Sequence, residues 1–493
     1  MNAAHYGRPS PLAPAGLAST AHSPPILSAE PLAGRALATE LYEAAVAGAA
    51  PGPLTAAALA HFDARPDQRL WLFAFGKGAR DMAAAAVATL QRSLHTLAGG
   101  VIVAPTAGPS PYTTIVSLAG DHPLPGRASF TAAERIGATA KGMRSDDVAI
   151  VLMSGGASSL IAAPLRGAAE SDLGHLFEAL LGSGLDVRQM NAVRKRFTRW
   201  GAGRLALALA PARTHVLVIS DVPGDDPADV GSGPCAPDAT TVREVIELMQ
   251  RTGILDRVSP ALRDYLGGVA RGLVPETPTR AHPAFAHVTT RVIGTNRLAV
   301  DAAVRAAAAR GIDVQPAAAP LGGEAARAGE TIAAALLERA RAGRAGGMVW
   351  GGETTVQLQS STPPFAGRRM DPRPETARPG APPSGGRCQE LALAASRVLH
   401  EAGDDGRRIT ILAAGTDGRD GPTDASGAFA DGGVWAAIRA AGRDPALALT
   451  RHESYTALDS AGALLRRGLT GTNVMDVVIG LVDAPEARDG RSV

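Results

Sequence analysis

Residues 147–160 read D-V-A-I-V-L-M-S-G-G-A-S-S-L. The first seven form a short, β-branched apolar run, the length of a buried strand rather than a helix. Ser154-Gly155-Gly156-Ala157-Ser158-Ser159 then turns the chain towards a helix. The same pattern occurs upstream, where R-L-W-L-F-A-F (69–75) meets Gly76-Lys77-Gly78 and a helical stretch over 81–97. Further strand runs at 100–104, 112–118 and 215–219 alternate with helical spacing. Strands apolar on both faces and separated by helices predict a parallel sheet covered on both sides. Prolines and threonines cluster at 272–283, and a second βα series starts at 288–293. It continues through helices over 297–310 and 323–342 and strands at 347–350, 408–413 and 477–482. The expected fold class is α/β, with an N-terminal doubly wound parallel sheet and a second, C-terminal α/β domain. The expected organisation is a disordered tail over 1–35, one domain over 36–275 and another over 276–493. Residues 360–386, rich in Pro, Arg and Gly without apolar periodicity, read as a flexible insertion.

Composition removes several classes of function. The chain has 493 residues and a net charge of +2, which argues against a nucleic-acid partner. No apolar run of about 18 residues occurs, so no membrane span is expected. The two cysteines, Cys235 and Cys388, lie far apart and without metal spacing. This fits a reducing cytoplasm. The cations are almost all Arg; Lys77 and Lys195 are the two lysines that fall in motifs, the third being Lys141.

The chemistry-bearing residues sit where strands end, which is where open α/β sheets hold ligands. The stretch 413–431 reads A-A-G-T-D-G-R-D-G-P-T-D-A-S-G-A-F-A-D and follows a strand. Its Asp417, Asp420, Asp424 and Asp431 are wrongly spaced for an EF-hand. One or two of them could hold Mg²⁺ beside a phosphate; equally, they could make turns with their own backbone. Asp221, Asp225 and Asp226 repeat this arrangement after the strand at 215–219. Ser154, Gly155, Gly156, Ser158 and Ser159 read either as a phosphate or carboxylate cradle or as a tight turn with an ordinary cap. Asn191, Arg194 and Lys195 share one helix face, which is either a ligand wall or a solvated surface. His122, before a proline in a turn, reads as structural. Gly76-Lys77-Gly78 is half of a dinucleotide fingerprint, but Asp81 stands in the third glycine's place, and no P-loop occurs. Together the loops supply cations for phosphates, carboxylates for Mg²⁺ and glycines for close approach, the requirements of phosphoryl transfer.

Ten motifs in order then carry a resemblance: G-K-G-A (76–79), G-D-H-P-x-P (120–125), S-G-G-A-S-S-L (154–160), N-A-V-R-K (191–195), S-D-V-x-G-D-D (220–226), G-S-G-P (231–234), G-G-E-T-T-V (351–356), G-G-R-x-Q-E-L-A-L (385–393), A-G-T-D-G-x-D-G-P-T-D-A-x-G (414–427) and T-G-T-N-V (470–474). The chain resembles the glycerate 2-kinase family, whose C-terminal half is called MOFRL, over residues 37–482. The resemblance implies two α/β domains with the active site in the cleft between them, and phosphorylation of D-glycerate at its 2-hydroxyl with ATP and Mg²⁺. It implies Lys77 and Arg387 as a cationic pair facing the cleft. Nucleotide or substrate would lie among Ser154–Ser159, Asn191, Arg194, Glu353, Thr354, Gln389, Glu390, Thr472 and Asn473. Asp221, Asp225, Asp417 and Asp424 are the expected metal carboxylates, and Asp221, Asp225 and Asp417 the candidates for general base. The chain departs from the family at Cys388 and Met475, where Asn is usual, and at Arg196-Phe197-Thr198. The rivals are an NAD(P)H-dependent hydroxypyruvate reductase, which the broken fingerprint opposes, and an inactive ligand-binding relative. The oligomeric state, monomer or homodimer, stays open.

Overall fold

The computed structural model describes residues 29–65, 67–165, 167–356 and 385–485. Six strands build the first sheet: β1 (Leu70–Phe75), β2 (Leu97–Ala104), β3 (Ile115–Ala119), β4 (Val148–Met153), β5 (Arg213–Ile219) and β6 (Val288–Gly294). Their order is β3-β2-β1-β4-β5-β6, and every pair is parallel. The expected alternation is explicit in β4. Ala149, Val151 and Met153 enter one apolar cluster, and Val148, Ile150 and Leu152 enter the other. Successive side chains of a strand point to opposite faces, so both faces must be covered by helices.

The second sheet contains β7 (Val314–Pro316), β8 (Gly346–Gly352), β9 (Ile409–Gly415), β10 (Gly427–Asp431), β11 (Leu464–Leu465) and β12 (Asp476–Val482). Its order is β11-β10-β9-β12-β8-β7. Only β7 and β8 run parallel; β12 is antiparallel to both β8 and β9, and β10 is antiparallel to β9 and β11. Antiparallel neighbours need no crossover helix, so the acidic loop simply returns the chain from β9 into β10.

Several expectations change here. The run at 288–293, read as the start of the second unit, is β6 at the edge of the first sheet. Conversely, helix α1 (Ala29–Gly48) packs on β9 and β12 of the second sheet. Residues 29–35, read as tail, are its first turns, and Arg35 donates to the buried Asp431 at 2.7 Å. Asp431 itself, read as part of the acidic loop, ends β10 and accepts from the backbone of Gly433 and Val434. Gly385 and Gly386, read as the end of the insertion, pack against Ser454 and Asp420. The tail over 1–28 and the stretch 360–384 lie outside the described residues.

The chain therefore crosses between the sheets twice. It leaves α1 for α2 (Pro51–Leu59) and α3 (Ala79–Arg92) on the first sheet, then returns from β6 into the Asn296–Ala309 helix on the second. These four helices and the facing sides of both sheets share one apolar cluster. It locks the carboxyl ends of the first sheet's strands opposite the loops of the second.

Candidate active site

Four loops from the first sheet converge on one cleft: Gly76–Gly78 after β1, His122 after β3, Ser154–Gly156 after β4 and Asp221 after β5. The backbone N–H of Lys77 donates to the Gly155 carbonyl at 2.9 Å, and Ser154 Oγ accepts from Gly78 N–H at 2.9 Å. Glycine is required twice. A Cβ on Gly155 would lie 2.0 Å from Asp221 Oδ2 and 2.7 Å from Asn473 Nδ2. Gly156 sits at φ +87°, where a side chain is disfavoured. The N–H groups of Gly155, Gly156, Ala157 and Ser158 donate to no acceptor among the described residues. They are free for an anion.

The second sheet closes the cleft. Because β12 runs against β8 and β9, Asp476 at its start lies beside Gly352 and Gly415 at their ends. One edge of the sheet thus gathers Glu353, the Thr416–Asp420 loop and Asp476. Lys77 Nζ reaches across to Asp417 Oδ2 at 2.7 Å, and Asn473 Nδ2 donates to Asp221 Oδ2 at 3.1 Å. Both links join the two sheets' loops. Arg387 is held by Asp476 through Nε at 2.5 Å and Nη2 at 3.0 Å, and by Glu353 through Nη1 at 2.5 Å. Burial works against its charge, but Asp476 and Glu353 outweigh that and keep it firmly protonated.

One guanidinium shared by two carboxylates leaves an acid in excess. Burial pushes the Glu353 carboxyl up to about 7; Arg387 pulls it down, while Asp476 and Asp221 push it further up. Burial likewise raises Asp221 to about 6, against the pull of Lys77. His122 is exposed, yet partial desolvation of its ring by the surrounding loops lowers it to about 4. Lys77, Arg194 and Arg419 add to this, and Asp417 opposes it. His122, in the turn before Pro123, thus stands beside the Gly156 loop as a neutral imidazole. Asp476 was overlooked altogether, because the strand was read as starting at Val477. Only the antiparallel pairing gives that aspartate a role.

Several proposed site residues serve other contacts. The Ser154 hydroxyl bonds to the backbone of the loop after β1, the Ser159 hydroxyl to that of its own loop, and Ser158 Oγ accepts from Ser232 Oγ at 2.9 Å. Thr472 Oγ1 donates to the Ala49 carbonyl. Gln389 is fully buried and donates to Asp420 O and Thr423 Oγ1. Glu390 pairs with His452 at 2.8 Å. Asp420 caps the Arg387–Glu401 helix by accepting from Cys388 and Gln389 N–H. Asn191 Nδ2 donates to the Asp229 carbonyl at 2.8 Å, while its buried Oδ1 has no partner. Thr354 is buried with an unpartnered hydroxyl. Asp424, expected as a metal carboxylate, instead pairs with Arg466 and Tyr455 on the exposed side of its loop. Cys388 is buried, and burial raises its thiol far above the usual range. Met475 adopts φ +67°, a conformation in which Asn or Gly is more at ease than Met.

Among the described residues no cluster of three or more His, Cys, Asp or Glu is arranged to hold a metal. Mg²⁺ does not need one, since it binds through one or two carboxylates plus phosphates and water. Asp221 and Asp417 bear on each other electrostatically across the cleft, and the buried Asp225 Oδ1 has no partner. That donor set fits an octahedral Mg²⁺ that keeps part of its water and arrives with nucleotide phosphates.

Comparison with known proteins gives the family. Residues 37–267 match a domain of unknown function, DUF4147, and residues 347–476 match the MOFRL family. A D-glycerate 2-kinase from Thermotoga maritima is 32% identical, over 84% of this chain and 91% of its own. A protein from Agrobacterium vitis, provisionally labelled hydroxypyruvate reductase, is 34% identical over 77% of this chain and 91% of its own. The crystal structure of a Thermotoga maritima glycerate kinase superposes with a TM-score of 0.73 at 31% identity, covering 91% of this chain and 99% of that one. With both family halves in register and that identity over most of its length, the chain belongs to the glycerate 2-kinase family.

Proposed function

We propose that this chain is a glycerate 2-kinase, transferring the terminal phosphoryl group of ATP to the 2-hydroxyl of D-glycerate. The observation that carries the reading is the Lys77–Asp417 contact across the cleft. It sets a compact cation and a metal-competent carboxylate at one point, beside the free amides of residues 155–158. The amides cradle nucleotide phosphates. Asp221 and Asp417, with Asp225 as a further candidate, would hold Mg²⁺, which would neutralise the charge of the phosphates when bound. Lys77 gives up Asp417 and stabilises the charge of the phosphoryl group in flight. Arg387 is too fully paired to grip a phosphate with all its donors; it fixes Glu353 and Asp476 instead. Glu353, with its raised affinity for a proton and part of its surface open to the cleft, joins Asp221 as a candidate to take the proton from the 2-hydroxyl. Positioning and electrostatics carry such transfers, so few reacting side chains are needed.

The test is direct. Purified protein is given D-glycerate with ATP-Mg²⁺, and separately hydroxypyruvate with NADH. ADP formation with 2-phosphoglycerate as the product supports the kinase. Formation of 3-phosphoglycerate would move the acceptor to the other hydroxyl. NADH consumption without ADP formation would favour the reductase and overturn the proposal.

A further inference from the structure

Arg194 is anomalous among the arginines withdrawn from solvent. Arg35, Arg196 and Arg387 each face a carboxylate, and Arg204 is tied to four backbone carbonyls and the Tyr265 hydroxyl. Arg194 has neither. Its one polar contact among the described residues is the Met190 thioether at 3.9 Å. Its Nε is sealed from solvent without a partner. Burial weakens its hold on the proton, bringing it to about 10. Isolated buried charge is costly, and no carboxylate or carbonyl offsets it among the described residues. The guanidinium lies 4.9 Å from the centroid of the Phe177 ring. A cation–π contact of this kind holds the planar guanidinium in place without using up its N–H donors.

The charge of Arg194 acts on His122, together with those of Lys77, Arg419 and Asp417. His122 in turn lies against the phosphate-side loop, 3.2 Å from where a Cβ of Gly156 would be. The positive side of the cleft therefore includes Arg194 together with Lys77 and Arg419 around His122. The opposite end, around Glu353, Asp476 and Asp221, carries excess acid. A triphosphate is already provided for by amides and Lys77. What matches a rigid planar fork beside a neutral imidazole is a carboxylate. We infer that Arg194, with His122 as a second donor, binds the carboxylate of the small 2-hydroxy acid substrate and selects for acids over uncharged polyols.

This rests on the kinase reading but is tested by binding, without turnover. D-glycerate and ADP-Mg²⁺ are titrated separately into the wild type, Arg194→Met, Arg194→Lys and His122→Gln by calorimetry. The expected result is a loss of D-glycerate affinity of at least 30-fold in Arg194→Met, partial recovery in Arg194→Lys, and ADP affinity within threefold of wild type. His122→Gln should lose about tenfold for D-glycerate alone. In turnover, Arg194→Met should raise KM for D-glycerate. Loss of ADP affinity with D-glycerate binding unchanged would overturn the inference and make Arg194 a phosphate ligand. No change in either would make it a structural cation. If Arg194→Met does not fold, Arg194→Lys decides, since it keeps the charge and loses the fork. Wild type that binds D-glycerate but forms no ADP would sink the kinase reading and leave the carboxylate site standing.

Discussion

Replacing Lys77 with Met is the sharpest perturbation of the cleft. Lys77 follows β1 directly, and its backbone is pinned by the Gly155 carbonyl. Methionine keeps most of the apolar stem, so the loop should hold its place. The Lys77 and Asp417 side chains are 26% and 18% exposed. A pair that wet contributes no more than about 1 kcal/mol to stability, so Tm should move only a few degrees. The effect on catalysis is larger. A unit charge about 4 Å from another is worth about 4 kcal/mol at an effective dielectric of about 20. If half a charge develops on the transferring group, the loss is about 2 kcal/mol, roughly 30-fold in rate. Removing a preorganised donor from a closed site typically costs more, about 10²–10³-fold. The expected fall in kcat is therefore on the order of 10²-fold or more, with Lys77→Arg recovering part of it, because a planar fork cannot reproduce an ammonium. ADP release coupled to NADH oxidation measures this, with a melting curve as control. A folded Lys77→Met variant that keeps kcat/KM within threefold of wild type would refute the assignment.

Asp420→Ala should cost about 1–2 kcal/mol in urea unfolding, because two N–H groups at the start of the Arg387–Glu401 helix lose their acceptor. Asp420→Asn should recover at most about half of it, since its amide keeps one acceptor oxygen where the carboxylate has two, and equal losses in the two variants would mean that capping is not the cause. Glu353 holds its proton up to about 7 in the folded protein, well above an unfolded glutamate. Folding then binds a proton between pH 4.5 and 7, so this group's contribution to stability falls as pH rises through that window. Glu353→Gln should flatten the decline in Tm measured from pH 5 to 8; an unaltered slope would assign the proton elsewhere. Arg35→Ala should lower stability by about 2 kcal/mol through loss of the charged hydrogen bonds to Asp431, whereas a true tail residue would leave the melting curve unmoved.

Most of the first sheet was legible in the sequence. Its strands are short apolar runs filled on both faces, and local periodicity alone reports them. The loops were legible for the same reason: Lys77, Ser154–Gly156, Asp221, Asp417 and Asn473 each follow or precede such a run, and they meet in one cleft. Strand direction and partnership were not legible. β10 is G-A-F-A-D and β11 is two leucines, too short and too mixed to stand out beside an acidic loop. The antiparallel placement of β12 depends on pairing with β8 and β9, which are 124 and 61 residues away at the matched positions Gly352 and Gly415. That pairing alone turns Asp476 from a strand's first residue into the clamp on Arg387. Likewise, Asp424 and Asp420 share one loop and look alike in sequence. The loop's path sends the first to Arg466 on the surface and buries the second under a helix start. Sequence determined which side chains were available at strand ends. Long-range packing decided which of them share a cleft and which are spent holding it open, because that choice is made by contacts between residues hundreds of positions apart.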